Sequence, residues 1–285
     1  MKLFPKQGLP ATLGRRRTAV SKALSLLLVT SVYTASSFAL TPAMDTSSVV
    51  WRNNQSGQNW VHQFEGYQSV LSQPFSLIAD ANWQVAADGD FNGDGKGDVL
   101  WRHAVSGVNW LYLTDGVKVT ESKRVNEVND LNWQVAGVGD FNNDGNDDIL
   151  WRHSTSGDNY IYYMDGSRIV STQFFNKIAD QNWQVAGVGD LNADGTDDLV
   201  WRNSATGANW AYMVNNGKIS QSKQINTVAG SDWHILGFED FNGDAIDDIL
   251  WRNASTGHIF LYTMSGATIS AAKLIGRAPA EWRIE

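Results

Sequence analysis

The 285-residue sequence has no cysteine, which rules out disulfides as a source of rigidity, and only 5 prolines, too few for a proline-rich stalk or linker. Basic residues are also scarce, 22 against 30 acidic ones, and six of them (Lys2, Lys6, Arg15, Arg16, Arg17, Lys22) precede residue 23. Removing those six and no acidic residue leaves a net charge of −14. Nucleic acid and anionic membrane surfaces, which demand basic patches, are thereby poor partners. No segment after the first 39 residues carries a helical period, and none is a long apolar run.

The first 39 residues differ from the rest. A basic stretch is followed by uncharged residues from Ala23 to Ala39, ending Ser37-Phe38-Ala39, which is the layout of a signal peptide cleaved after Ala39. The alternative is an uncleaved anchor, although the apolar run falls short of the ~20 residues a spanning helix needs. The arginine run hints at twin-arginine export, but Thr18-Ala19-Val20 lacks the apolar pair that usually follows. Residues 1–39 are therefore expected to be an export leader. Residues 40–285 are expected to form one secreted, periplasmic or cell-surface domain, with no membrane insertion once the leader is gone.

What the sequence has in abundance is Gly (26) and Trp (13), and all the tryptophans fall on three positions of a fifty-residue repeat. Trp-Arg occurs at 51, 101, 151, 201 and 251. A second tryptophan recurs at 83, 133, 183, 233 and 282, and a third at 60, 110 and 210, with Tyr160 and Phe260 in its place elsewhere. A period near fifty with aromatic and glycine marks indicates a propeller or another array. One unit reads as four short strands: Trp133–Val138, Asp148–His153, Asn159–Met164 and Arg168–Phe175, with turns at Ser156-Gly157 and Asp165-Gly166. Four antiparallel strands make one propeller blade. The sequence begins its repeats inside a unit, with Ser47–Arg52 as a second strand, and ends on Glu281–Glu285, a first strand. Pairing those two predicts an all-β, five-bladed ring; an open array completed by another chain is the alternative.

Between first and second strands lies Asp90-Phe-Asn-Gly-Asp-Gly-Lys-Gly-Asp98, and the pattern returns at 140–148, 190–198 and 240–248. Oxygen-bearing side chains at positions one, three, five and nine, a carbonyl at seven and a glycine turn at six wrap oxygens around a hard cation, as in the first half of an EF-hand. The candidate ligands are Asp90, Asn92, Asp94, Lys96 and Asp98; Asp140, Asn142, Asp144, Asn146 and Asp148; Asp190, Asn192, Asp194, Thr196 and Asp198; and Asp240, Asn242, Asp244, Ile246 and Asp248. The residue at seven contributes its backbone carbonyl. Up to four Ca²⁺ ions are expected, favoured over Mg²⁺ because the loops suit irregular, higher coordination. Fifteen of the 30 acidic residues lie in these loops when Asp147, Asp197 and Asp247 are included, a crowding that a cation would relieve. Ordinary Asx-turns are the competing reading. The fourth loop is expected to be the weakest, since Ala245 replaces the turn glycine.

The run Gly89-Asp-Phe-Asn-Gly-Asp-Gly-x-x-Asp98 before an apolar strand resembles the FG-GAP or VCBS-type repeat of bacterial secreted proteins and integrin α-chain propellers. The resemblance covers nearly all of residues 45–285 and implies calcium binding at Asp90, Asn92, Asp94, Asp98 and their equivalents. Five units are fewer than the six or seven common in relatives. The family includes adhesins, lectin-like binders and parts of larger enzymes, so the resemblance fixes no ligand.

Tryptophans recurring in every unit read as blade-to-blade packing, with sugar stacking the alternative, mainly for the Trp60, Trp110 and Trp210 set. Each Trp-Arg arginine is expected to pair with an aspartate or a carbonyl at a blade junction. The five histidines, His62, His103, His153, His234 and His258, show no metal-ligand spacing, and no nucleophile motif accompanies them, so catalysis is not the reading favoured here. Short polar residues beside an aromatic recur in the Asp-x-Asn-Trp connections: Asp80 with Asn82, Asp130 with Asn132, and Asp180 with Asn182. They are candidate contacts to a glycan or a cell-surface protein, or else caps of the turn entering the first strand. A monomeric, lectin-like or adhesive module is the leading expectation, and a structural or protein-interaction scaffold the alternative.

Overall fold

The computed structural model describes residues 47–53, 56–65 and 68–278, so the expected leader and the expected closing strand at Trp282 lie outside the described residues. All regular structure among the described residues is β, and no helix there is long and apolar enough to cross a membrane. The first sheet contains β1 (Ser47–Arg52), β2 (Gln58–Glu65) and β3 (Gln68–Leu77). The second contains β4 (Trp83–Gly89), β5 (Asp98–His103), β6 (Val108–Thr114) and β7 (Val119–Glu127). The third contains β8 (Trp133–Gly139), β9 (Asp148–His153), β10 (Asp158–Asp165) and β11 (Arg168–Lys177). The fourth contains β12 (Trp183–Gly189), β13 (Asp198–Asn203), β14 (Ala208–Asn215) and β15 (Lys218–Thr227). The fifth contains β16 (Trp233–Glu239), β17 (Asp248–Asn253), β18 (His258–Ser265) and β19 (Thr268–Arg277).

Each sheet is an antiparallel meander in sequence order, and the innermost strands β4, β8, β12 and β16 are successive neighbours. This is a β-propeller: four complete four-stranded blades, plus a first sheet of three strands among the described residues. The expected strand boundaries hold to within two residues in the third blade, because each is set by a local signal. Gly157, for example, turns the chain between β9 and β10 at φ 74°, with its N–H donating to the His153 carbonyl and its own carbonyl accepting from Ile178.

Blades are joined through the faces of their sheets. Trp101, Trp151, Trp201 and Trp251 are each 1% exposed. The apolar core around Trp151 combines Leu100, Leu111 and Leu113 of one blade with Ile149 and Met164 of the next. Over each buried indole sits the arginine of the preceding blade: Arg52, Arg102, Arg152 and Arg202 lie 5.0 to 5.1 Å from the ring centroids of Trp101, Trp151, Trp201 and Trp251. A desolvated guanidinium on an indole contributes up to about 2 kcal/mol. The Arg102 guanidinium also donates to the carbonyls of Gly107 and Val128 in its own blade and of Trp133 in the next. Carbonyls at the junction are therefore its partners, together with the fully buried amide of Asn109 at 3.1 Å. Asn59, Asn159 and Asn209 repeat that role for Arg52, Arg152 and Arg202.

Adding a Cβ at Gly157 would place it 1.9 Å from the Ile178 carbonyl oxygen, whereas nothing lies within 4 Å of one at Gly145, φ 92°. Gly157→Ala should therefore destabilise the protein by about 3 kcal/mol and Gly145→Ala by only about 1 kcal/mol, the conformational term alone. Urea unfolding in EDTA measures both, and equal losses would contradict this account.

Candidate functional site

The acidic loops leave the first strand of each four-stranded blade and enter the second, on the same face as the Asp-Gly turns. In the first, the two carboxylate oxygens of Asp90 accept the N–H groups of Asp94 (3.0 Å) and Gly95 (2.8 Å). Asn92 Oδ1 accepts from Asp94 and Asp94 Oδ1 from Lys96. The wiring repeats through Asp140, Asn142, Asp144 and Asn146. It repeats again through Asp190, Asn192, Asp194 and Thr196, and through Asp240, Asn242, Asp244 and Ile246. Each loop thus gathers its first, third and fifth side chains around inward-turned amides. The tight curvature needs left-handed backbone at position six, where Ala245 stands at φ 69° in place of glycine. It also needs it at position four, including Asn143 (62°) and Ala193 (58°), a requirement the sequence pattern did not single out.

The ninth residue lies deeper. Asp98 is fully buried, with one carboxylate oxygen accepting from Phe91 N–H (3.0 Å) and the other from Thr114 N–H (2.8 Å) at the end of β6. Asp148 and Asp198 are held alike, and Asp248 accepts from Met264 N–H. Burial, opposed in part by these amides and reinforced by neighbouring loop carboxylates, pushes Asp98, Asp148 and Asp198 up to about 8, and Asp248 in the same direction.

Among the described residues, no three His, Asp or Glu side chains stand together closely enough to hold a metal ion by themselves. The donors of each loop are wider than that set, since they include an amide oxygen at three or a backbone carbonyl at seven. All are oxygens, a chemistry that fits a hard cation and not a soft one.

Neighbouring loops also touch. Asp147 donates its N–H to the Asp90 carbonyl (2.7 Å) and accepts the Asp90 N–H on its carboxylate (2.8 Å). Asp197 does the same to Asp140, and Asp247 to Asp190. The carbonyls of Phe91, Phe141 and Leu191 accept from Gly166, Gly217 and Gly266 of the following blade.

The opposite face carries the Ser-Gly hairpins and the Asp-x-Asn-Trp connections. Asp80 Oδ1 accepts both the N–H and the side-chain amide of Asn82, each at 2.9 Å, and its carbonyl accepts from Trp83 N–H. Asp130 with Asn132 and Asp180 with Asn182 repeat the pair. The second oxygen holds a partner not anticipated from sequence: His103 at 3.0 Å from Asp80, His153 at 3.0 Å from Asp130, and the Asn203 amide at 3.3 Å from Asp180. The Asn82 amide and this imidazole hold the Asp80 carboxyl below its usual range, as their equivalents hold Asp130. Beside each pair stands a half-buried indole: Trp83 packs edge-on against His103 at 5.1 Å and against Trp110 at 6.4 Å. The Asp and Asn side chains are exposed, and they do cap the turn into the first strand.

A family model described as FG-GAP-like repeat matches residues 90–151, 140–201 and 190–251, together more than half of the chain. The chain belongs to the FG-GAP-like repeat family. No curated protein matches it in sequence. Among solved structures, a lectin of Agrocybe aegerita, described for its specific recognition of non-reducing terminal N-acetylglucosamine, is similar over 81% of this chain and 63% of its own, at 14% identity and a TM-score of 0.59. The Tc holotoxin pore of Photorhabdus luminescens is similar over 84% of this chain and 12% of its own, at 16% identity and a TM-score of 0.53. A luciferin-regenerating enzyme is similar over 90% of this chain and 80% of its own, at 12% identity and a TM-score of 0.50. These likenesses are of fold. This FG-GAP-like propeller spans less than two thirds of the lectin's length.

In metal-free protein the buried aspartates bind protons more tightly when folded than when unfolded. Their contribution to stability is then complete below about pH 4, the unfolded carboxylate range, and is lost as the pH rises toward 8. The melting temperature in EDTA should fall between pH 5 and pH 8; a rise over that range would contradict the burial of these carboxyls.

Proposed function

We propose that this protein is an exported, calcium-binding propeller that acts as a ligand-binding module, with saccharides or surface glycans as its ligands. The observation that carries this reading is the thrice-repeated corner of Asp80 with Asn82, Asp130 with Asn132 and Asp180 with Asn182, exposed and already locked by its own hydrogen bonds beside an indole. Polar groups fixed before binding lose little entropy on contact, and an apolar ring beside them suits the faces of a sugar. Several weak copies on one rigid ring would gain from avidity. The Agrocybe lectin supports the reading as a similar fold described for sugar recognition. Fold alone does not decide, since a luciferin-regenerating enzyme shares it, so the proposal rests on the corners.

Calcium, up to four ions, would be held by the first, third, fifth and ninth side chains and the seventh carbonyl of each loop. There it would supply positive charge beside the buried aspartates and stiffen the rim. Extracellular calcium modules bind with constants of about 10⁻⁴ to 10⁻³ M. At ten times the constant each site adds about 1.4 kcal/mol of stability, and four equal sites about 6 kcal/mol. A second reading, a protein-interaction scaffold, is favoured by exposed apolar side chains on outer strands, Phe174 on β11 and Leu274 and Ile275 on β19.

Two measurements separate these readings. Isothermal titration with CaCl₂ should give calcium heat, and none in the unaltered protein would refute the metal assignment; Ala245→Gly, which relieves left-handed strain already present without the ion, should raise stability in EDTA by about 1 kcal/mol. On a glycan array the calcium-loaded protein should bind saccharides, and the Asn132→Ala/Asn182→Ala variant several-fold less. A folded, calcium-loaded sample that binds none would leave the scaffold reading.

A further inference from the structure

We propose that Asp147, Asp197 and Asp247 couple cation binding between loops, so that an ion in one loop tightens the loop of the preceding blade. This rests on the calcium reading above and adds a regulation that the reading alone does not contain. Each of these aspartates makes a reciprocal pair of bonds with the first residue of the preceding loop. Asp147 clamps Asp90 at 2.7 and 2.8 Å, Asp197 clamps Asp140 at 2.8 and 2.8 Å, and Asp247 clamps Asp190 at 2.9 and 2.9 Å.

The clamp falls on the residue that organises its loop, because the Asp90 carboxylate receives the N–H groups of Asp94 and Gly95. It comes from a residue flanked on both sides by ligand positions, Asn146 and Asp148. An ion that fixes the later loop therefore fixes the clamp, and the clamp fixes the main chain from which the earlier loop is built. Contact between the loops is close: a Cβ at Gly93 would come within 2.9 Å of the Gly145 carbonyl.

The sequence follows the clamp independently of the ligand pattern. Position eight is aspartate in the three loops that have an acidic loop on the preceding blade. It is Gly97 in the first loop, and the sheet of β1 to β3 before it carries no acidic loop among its described residues. The residue before the loop follows the same rule. Gly89 and Gly189 leave room for the clamping carboxylate, which a Cβ would meet at 2.7 and 2.5 Å, and Gly139 stands at the third such place. Glu239 occupies this position before the fourth loop, on which no described aspartate clamps. Calcium ligation as such demands neither pattern. Influence thus runs from later to earlier loops in contact, while thermodynamic linkage makes each pair mutually reinforcing.

The test is a double-mutant cycle in the full chain, with the third and fourth loops silenced by Asp194→Asn and Asp244→Asn. Isothermal titration with CaCl₂ then follows the first loop with the second intact or silenced by Asp144→Asn, each with and without Asp147→Ala. Coupling predicts that silencing the second loop weakens the first at least five-fold, and that Asp147→Ala abolishes this dependence. Asp147→Asn, whose amide oxygen still accepts the Asp90 N–H, should retain part of it, which guards against a folding defect in the alanine variant. Hydrogen exchange gives a local readout: the Asp90 amide should become more protected when only the second loop can bind calcium. A first-loop constant indifferent to the second loop, with calcium heat present, would overturn the coupling alone. No calcium heat with every loop intact would overturn the calcium reading, and the coupling with it.

Discussion

A carboxylate taken out of water either receives hydrogen-bond donors or takes up a proton, and four aspartates in this protein are placed where that choice must be made. Asp98, Asp148 and Asp198 each accept one N–H from the second residue of their loop and one from the end of the third strand. These two bonds tie a loop, the strand that follows it and the strand beyond into one unit. They turn the second residue of the loop, Phe91, Phe141 or Leu191, into the interior, where each side chain is fully buried. With that residue fixed, the first, third and fifth side chains are left on the outer side of the turn, gathered around its amides. The acidic rim is thus a consequence of the buried carboxylate beneath it, and a rim of this charge next to carboxyls pushed up to about 8 is a place where added positive charge has a large effect.

The two ends of each blade junction are held by different chemistry. On the rim, backbone groups and the position-eight aspartates join one loop to the next. Nearer the opposite face, a guanidinium stacks on the buried indole of the following blade while its N–H groups engage carbonyls from both blades. Between these belts the contact is apolar, drawn from both sheets in each cluster. Rotation of one blade against another would have to break polar bonds at both ends, so the corners that carry Asp80, Asp130 and Asp180 sit on a stiff frame.

The strands, the hairpin turns and the loop spacing could be read from the sequence because each is written in residues close to one another: alternating apolar residues in β10, Ser156-Gly157, and Asp90 to Asp98. The roles of Asp147, Asn109 and His103 could not. Asp147 looks like one more loop carboxylate until its partner, 57 residues earlier, is placed beside it. Asn109 reads as a polar residue before an aromatic, yet it is fully buried against Arg102, and only recurrence at 59, 159 and 209 marked it. His103 and His153 show no partner in the linear sequence, yet their ring nitrogens engage Asp80 and Asp130 on one side and turn amides on the other. For Asp147 the missing information was a distance between units; for Asn109 and His103 it was a contact across one blade, which linear order does not display.

The clamping bonds join residues 57 apart at every junction where they occur, and each runs in the same sense around the molecule. A junction is therefore made from the tail of one fifty-residue unit and the head of the next, with no dependence on where a unit is said to begin. Duplicating or deleting in frame a fifty-residue stretch that holds the second or third loop regenerates whole junctions from the existing parts, whereas a second copy of the first loop, with Gly97 at position eight, would bring no clamp. A gene built this way can change the number of its blades in one recombination event, and selection can then act on the circumference of the ring as a single variable.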